Sequence, residues 1–191
     1  RIGFVGVGRM GANMARRLKD QNFTVTAVHD AHAHIGHSLA EEIGATYYDK
    51  LSLVTKNADV IITVVTDDKS MKGIFSGTGS LLARAHGRLF INCATLSPSI
   101  HEKVEEWAHK HNAQTLEACM ASSITQAREG TLYLMCGGKQ EAFDRAKPIL
   151  DDLSITNRYI GPAGTAAKLK DAAEAGKLAA ALMYLRGEAR P

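Results

Sequence analysis

The chain has 191 residues, 45% hydrophobic and 23% charged, an ordinary globular composition with enough length to bury a sizeable core. Its net charge of +3 comes without Lys/Arg runs interleaved with aromatics, so there is no electrostatic footprint for nucleic acid, and no window reaches the roughly 18 apolar residues that a membrane span needs. Cys93, Cys119 and Cys136 are odd in number, far apart and outside any CxxC pair; they read as reduced thiols, and a cytoplasmic location without a secretory leader is expected.

Residues 2–7 read as a buried strand that turns on glycines and runs directly into a helix at 9–20. Gly6, Gly8 and Gly11 form a GxGxxG at that turn. The first lets the chain turn tightly, the second leaves no Cβ in the way of a pyrophosphate, and the third lets the helix lie close on the strand. The amides opening the helix then face the phosphates. Met10, Met14 and Leu18 share the apolar face of that helix, while Arg16, Arg17 and Lys19 lie off it. Residues 23–28 are a second strand, closed by Asp30, about twenty residues after the turn, where an acidic residue meets the adenosine ribose.

A helix at 33–43 ends on Gly44, followed by a short strand at 45–48 and a short helix at 50–56. Residues 59–65 form a continuous apolar strand, as expected where helices cover both sheet faces, and Val65 and Thr66 at its end are expected along the cofactor. Helices are predicted at 69–75 and 81–86, a strand at 88–92, then a helix with Ser97 as N-cap and Pro98 first inside it. A strand at 113–117, a loop through Ala121, Ser122 and Ser123, a strand at 132–136, a helix at 140–150 and a strand at 154–160 follow. From 165 to about 186 nearly every residue favours helix. Strands alternating with helices predict an α/β, doubly wound, mainly parallel sheet of Rossmann type over 1–162. Residues 163–191 read as an interdomain helix, the truncated start of a further helical domain.

Several blocks carry a family likeness. Residues 6–15 are similar to GxGxMGxxMA, residues 94–98 to STxxP, 117–138 to DAPVSGG…GTL…GG, and 161–169 to GxxGxGxxxKL. In these the chain resembles the β-hydroxyacid dehydrogenases, relatives of 3-hydroxyisobutyrate dehydrogenase, tartronate semialdehyde reductase and 6-phosphogluconate dehydrogenase. The resemblance implies an NAD(P)-dependent oxidoreductase acting on a small hydroxy acid, a homodimer in its full-length form, with an all-helical domain absent here. It implies cofactor contacts at Gly6, Gly8, Arg9, Met10 and Gly11, and at Thr95 near the nicotinamide ribose. Asp30 takes ribose hydroxyls and repels a 2′-phosphate, and Ala31 replaces any phosphate-pairing Arg, so NAD is favoured over NADP, with His29 and His32 able to bend that preference.

Lys168 stands at the family's catalytic position, among Ala and Leu after a glycine-rich break. A partly buried lysine there would be the base and donor at the substrate hydroxyl, because desolvation lowers its pKa towards neutrality. The family's asparagines just beyond the lysine are Asp171 and Ala172 here, and its Ser-Gly-Gly is Ala121-Ser122-Ser123. Asp171 is thus a second candidate catalytic residue, orienting Lys168 or, in an imine reductase-type relative, donating the proton. Ser122 and Ser123 are candidates for the substrate carboxylate. A nucleotide-binding module without catalysis is the other reading. His29, His32, His34 and His37 straddle a strand end and a helix with no thiol or carboxylate cluster, so they read as a solvated face and no metal is expected.

Overall fold

The structure, a computed structural model, describes residues 1–172. Strands β1 (Ile2–Val5), β2 (Val25–His29), β3 (Thr46–Tyr47), β4 (Val60–Thr63), β5 (Leu89–Asn92) and β6 (Gln114–Met120) lie parallel in the order β3-β2-β1-β4-β5-β6. Strand β7 (Leu132–Gly138) runs antiparallel to β6, and β8 (Ser154–Gly161) is parallel to β7. Every residue of β1 and β5 is buried, because helices cover both faces. Helices α1 (Arg9–Asp20), α2 (Ala33–Ile43), α6 (Ile124–Glu129) and α7 (Gln140–Leu153) share one apolar cluster. Helices α3 (Leu51–Asn57), α4 (Asp68–Phe75) and α5 (Pro98–Lys110) share another, in which Phe75 meets Phe90 edge-on with centroids 5.1 Å apart.

This order makes β1 the strand at which the chain's direction across the sheet reverses. The chain leaves it towards β2 and β3, then returns across it to β4, which opens a crevice where β1 and β4 end. The strand alternation predicted a mainly parallel sheet, and the β6–β7 pair is its antiparallel exception. Parallel pairing needs a crossover of a dozen or more residues, and 121–131 hold only one short helix, so the chain doubles back instead. That helix follows the predicted loop through Ala121, Ser122 and Ser123. Ser123 and Gln126 form its capping box, each side chain accepting from the other residue's amide. The predicted helix at 81–86 is a 3₁₀ turn at Leu81–Arg84. Helix α7 passes Pro148 and runs on to Leu153, with Pro148 on its exposed side.

Helix α8 (Thr165–Ala172) follows β8. The remainder of the long helix expected here, and most of the expected segment 163–191, lies outside the described residues. Among the described residues no helix is long and apolar enough to cross a membrane.

Candidate functional site

The three glycines of the first turn separate into two closed positions and one open one. Gly6 has φ +84°, and a Cβ there would sit 2.4 Å from the Val64 carbonyl oxygen. A Cβ on Gly11 would sit 2.1 Å from the Gly6 oxygen. At Gly8 the same atom would meet nothing within 4 Å. Gly8 is also the N-cap of α1, so no side chain caps that helix, and its first amides are left for a ligand at the positive end of the dipole. Arg9 is exposed on this first turn and Met10 is half-buried beside it.

Asp30 is 9% exposed and stands beside this turn. Its Oδ2 accepts from the Val7 amide at 2.8 Å and its Oδ1 from the His32 amide at 2.8 Å. The carboxylate therefore ties the glycine loop to the loop after β2, and keeps further lone pairs with which it can accept from a ligand hydroxyl. A cleft of about 450 Å³ runs from here, lined by Gly6, Gly8, His29, Asp30, Val64, Val65 and Thr66, with Ile35, Ser70 and Ile74 at its walls. His29 Nδ1 lies 2.8 Å from the Tyr48 carbonyl oxygen and, facing an acceptor, donates to it. His32, His34 and His37 are exposed, and His37 packs on Tyr47 with ring centroids 4.1 Å apart.

Beyond β4, Asp67 caps α4 by accepting from the Ser70 amide at 2.7 Å, and Thr66 donates to it at 3.1 Å. Ser97 occupies the predicted N-cap of α5, but its hydroxyl donates to Asp68 rather than serving a helix amide. Its own amide donates to Asp68 at 3.0 Å, which joins the loops after β4 and β5. Thr95 is half-buried there. Ser122 and Ser123 both turn their oxygens to backbone. Ser122 accepts from the Tyr133 amide at 2.8 Å and Ser123 from the Gln126 amide at 3.3 Å, so each keeps a hydroxyl proton to donate.

Helix α8 packs against β6 and β7 beside α5. Ala166 and Ala167 are fully buried against Cys119 and Met135. Lys168 follows on the outward side, so its side chain is 61% exposed, with Nζ 3.4 Å from Glu102. The desolvated lysine expected from sequence is therefore not found at this position among the described residues. Asp171, three residues on, is exposed as well. Lys170 sits one helical turn after Ala166, on the inner side, and donates to Thr95 Oγ1 at 2.5 Å.

Two residues that sequence reading passed over shape this end of the site. Lys170 was masked by its neighbour, although the i, i+4 spacing from buried Ala166 marks it as inward-facing. Glu117 opened a family-like block without a role. It is 2% exposed and accepts from the Gly164 amide at 2.8 Å and the Ala167 amide at 2.6 Å. It thereby supplies a negative charge at the start of α8.

Residues 1–161 match the family described as the NAD binding domain of 6-phosphogluconate dehydrogenase. The chain is 32% identical over 171 residues to 3-hydroxyisobutyrate dehydrogenase of Pseudomonas aeruginosa, covering 88% of this chain and 57% of that protein. A solved 3-hydroxyisobutyrate dehydrogenase of Mycobacterium tuberculosis with L-serine superposes with a TM-score of 0.81 at 26% identity, over 98% of this chain and 66% of that one. An imine reductase variant from Myxococcus stipitatus with NAD⁺ shares the fold with a TM-score of 0.84 at 20% identity, over 97% of this chain and 63% of that one. The chain thus spans about 57–66% of the length of these relatives. The glycine turn, the acidic residue closing β2 and the order of the sheet agree with that match, and the chain belongs to the family of the 6-phosphogluconate dehydrogenase NAD binding domain.

Proposed function

We propose that the chain binds a nicotinamide dinucleotide in the cleft above β1 and β4 and, within a longer enzyme, passes hydride between that cofactor and a small hydroxy acid. The observation that carries this reading is the open space at Gly8, in a loop closed tightly at Gly6 and Gly11. A diphosphate fits where a Cβ would stand. Gly6, Gly8, Arg9, Met10 and Gly11 hold the diphosphate, Asp30 the adenosine ribose, Val65 and Thr66 flank the cofactor, and Thr95 meets the nicotinamide ribose. NAD is preferred over NADP, because Asp30 is acidic and Ala31 offers no cation to a 2′-phosphate. When bound, the nicotinamide supplies the hydride acceptor or donor.

The proton is assigned to Lys168 as base and donor, with Asp171 one turn further along the same side of α8. Their exposed side is the one a further helical domain would cover, beginning with residues 163–191 and carrying the dimer contact. Burial there would lower the lysine's pKa towards the catalytic range. Lys170 holds Thr95 and through it the ribose end of the cofactor. The Ser122 and Ser123 hydroxyls donate to the substrate carboxylate. A second reading, a module that binds the dinucleotide without turnover, is favoured by the ion pair of Lys168 with Glu102.

Titration of the 191-residue chain with NADH and NADPH, followed by nicotinamide fluorescence, tests the binding step. Saturable binding with NADH tighter is expected; no complex with either dinucleotide would refute the proposal. Turnover of the longer enzyme with small 3-hydroxy acids, and with cyclic imines as the competing substrate class, separates the two readings.

A further inference from the structure

His101, Glu117 and Cys119 meet on the sheet face covered by α5 and α8. Each offers one donor atom, and among the described residues these atoms lie within 4.8 Å of one another. His101 Nε2 is 3.7 Å from Glu117 Oε1, and Cys119 Sγ is 3.5 Å from the same oxygen. All three side chains are buried. Neither ring nitrogen of His101 has a hydrogen-bond partner, although the imidazole is only 1% exposed. A buried orphan of this kind calls for an ion, a water or another ligand to complete it.

The geometry points to a zinc site built from His101, Glu117 and Cys119, closed over by the first turn of α8. Bonds of about 2.0–2.3 Å around a tetrahedral ion set the ligand atoms roughly 3.3–3.7 Å apart, close to the two separations already present. One imidazole, one carboxylate and one thiolate form the mixed nitrogen, oxygen and sulfur set that suits this ion. A thiolate and a carboxylate also neutralise its double charge, as burial requires. Cys93 and Cys136 pack in the apolar cluster of the opposite sheet face, which leaves Cys119 as the thiol within reach. This site does not depend on hydride transfer or on dinucleotide binding.

Cobalt(II) added to the reduced, chelator-treated 191-residue chain provides the test. One equivalent should bind, giving visible ligand-field bands and a near-ultraviolet thiolate-to-cobalt band, and zinc should displace it. Cys119→Ser should abolish the thiolate band, Cys136→Ser should leave it intact, and His101→Gln should weaken binding at least tenfold. If either ligand variant misfolds by circular dichroism, X-ray absorption of the zinc-loaded wild type decides, with one sulfur and one imidazole expected in the shell. No stoichiometric binding, a thiolate band that survives Cys119→Ser, or a shell without sulfur would overturn the assignment, the last pointing to the exposed histidines instead.

Discussion

The contrast between Gly6 and Gly8 gives the sharpest test of how the first turn works. Gly6→Ala forces a side chain into the left-handed region at φ +84°, which costs about 1–2 kcal/mol for an L-residue. It also brings Cβ to 2.4 Å from the Val64 oxygen, a backbone atom of β4's extension that cannot swing aside. Displacing the loop adds to the strain, for a total of roughly 3 kcal/mol or more. Gly8→Ala has neither cost. The residue sits at φ −61° and ψ −166°, ordinary extended backbone, and the new methyl meets nothing within 4 Å. Its stability should stay within about 1 kcal/mol of the parent, and the reduced freedom of the unfolded chain favours a small gain. The methyl does, however, enter the space assigned to the diphosphate, so NADH affinity should fall at least about tenfold, or 1.4 kcal/mol. Urea unfolding and NADH titration of both variants measure the two effects separately. If Gly8→Ala keeps parental affinity, or if it loses as much stability as Gly6→Ala, the division of labour argued for this turn is wrong.

Asp30→Asn should lower the preference for NADH over NADPH, because the charge repelling a 2′-phosphate is gone while one oxygen remains for the Val7 amide; an unchanged ratio of dissociation constants would count against the ribose role. In the longer enzyme, Lys170→Met should raise the KM for the dinucleotide with a smaller effect on kcat, whereas Lys168→Met should lower kcat by about 10²–10⁴; the reverse pattern would exchange the two assignments. Glu117→Gln leaves one carbonyl oxygen for the amides of Gly164 and Ala167, so chemical denaturation should show a loss of about 1.5–3 kcal/mol. Burial pushes the Cys93 thiol up to about 12, so the fold resists its ionisation while the unfolded chain, near 9, does not. That contribution is intact below about pH 9 and is lost as pH rises towards 12, with a slope of up to about 1.4 kcal/mol per pH unit. Cys93→Ala should flatten the alkaline stability profile in that window, and an unchanged slope would refute the cause given.

What the sequence reveals about this molecule follows the range of the interactions involved. The glycine turn, the acidic end of β2 and the continuous apolar run of β4 are local, so their order along the chain reports their place in the fold. Gly44 ends α2 at φ 69° as its residue type requires. Direction is a different matter. Nothing in 132–138 distinguishes a parallel strand from an antiparallel one, and the deciding quantity is the shortness of the connection before it. The Ser-x-x-Gln spacing from Ser123 to Gln126 is that of a capping box, a local signal that marks Ser123 as a helix start independently of any family-like pattern.

The catalytic end shows why a motif position and a chemical environment are separate facts. Lys168 is the residue the family resemblance singles out, yet in the described residues the helix turns it outward to Glu102 and turns Lys170 inward to Thr95. The cause lies at the other end of the helix. Glu117 accepts from Gly164 and Ala167, and the two buried alanines fix the helix's rotation against β6 and β7. Once that rotation is set, the residue one turn beyond Ala166 must face the sheet and the residue after Ala167 must face away. A substrate reaching Lys168 must therefore approach from the outer side of α8. The cleft above β1 and β4, by contrast, is lined among the described residues by residues between Val5 and Ile74, with none from α8.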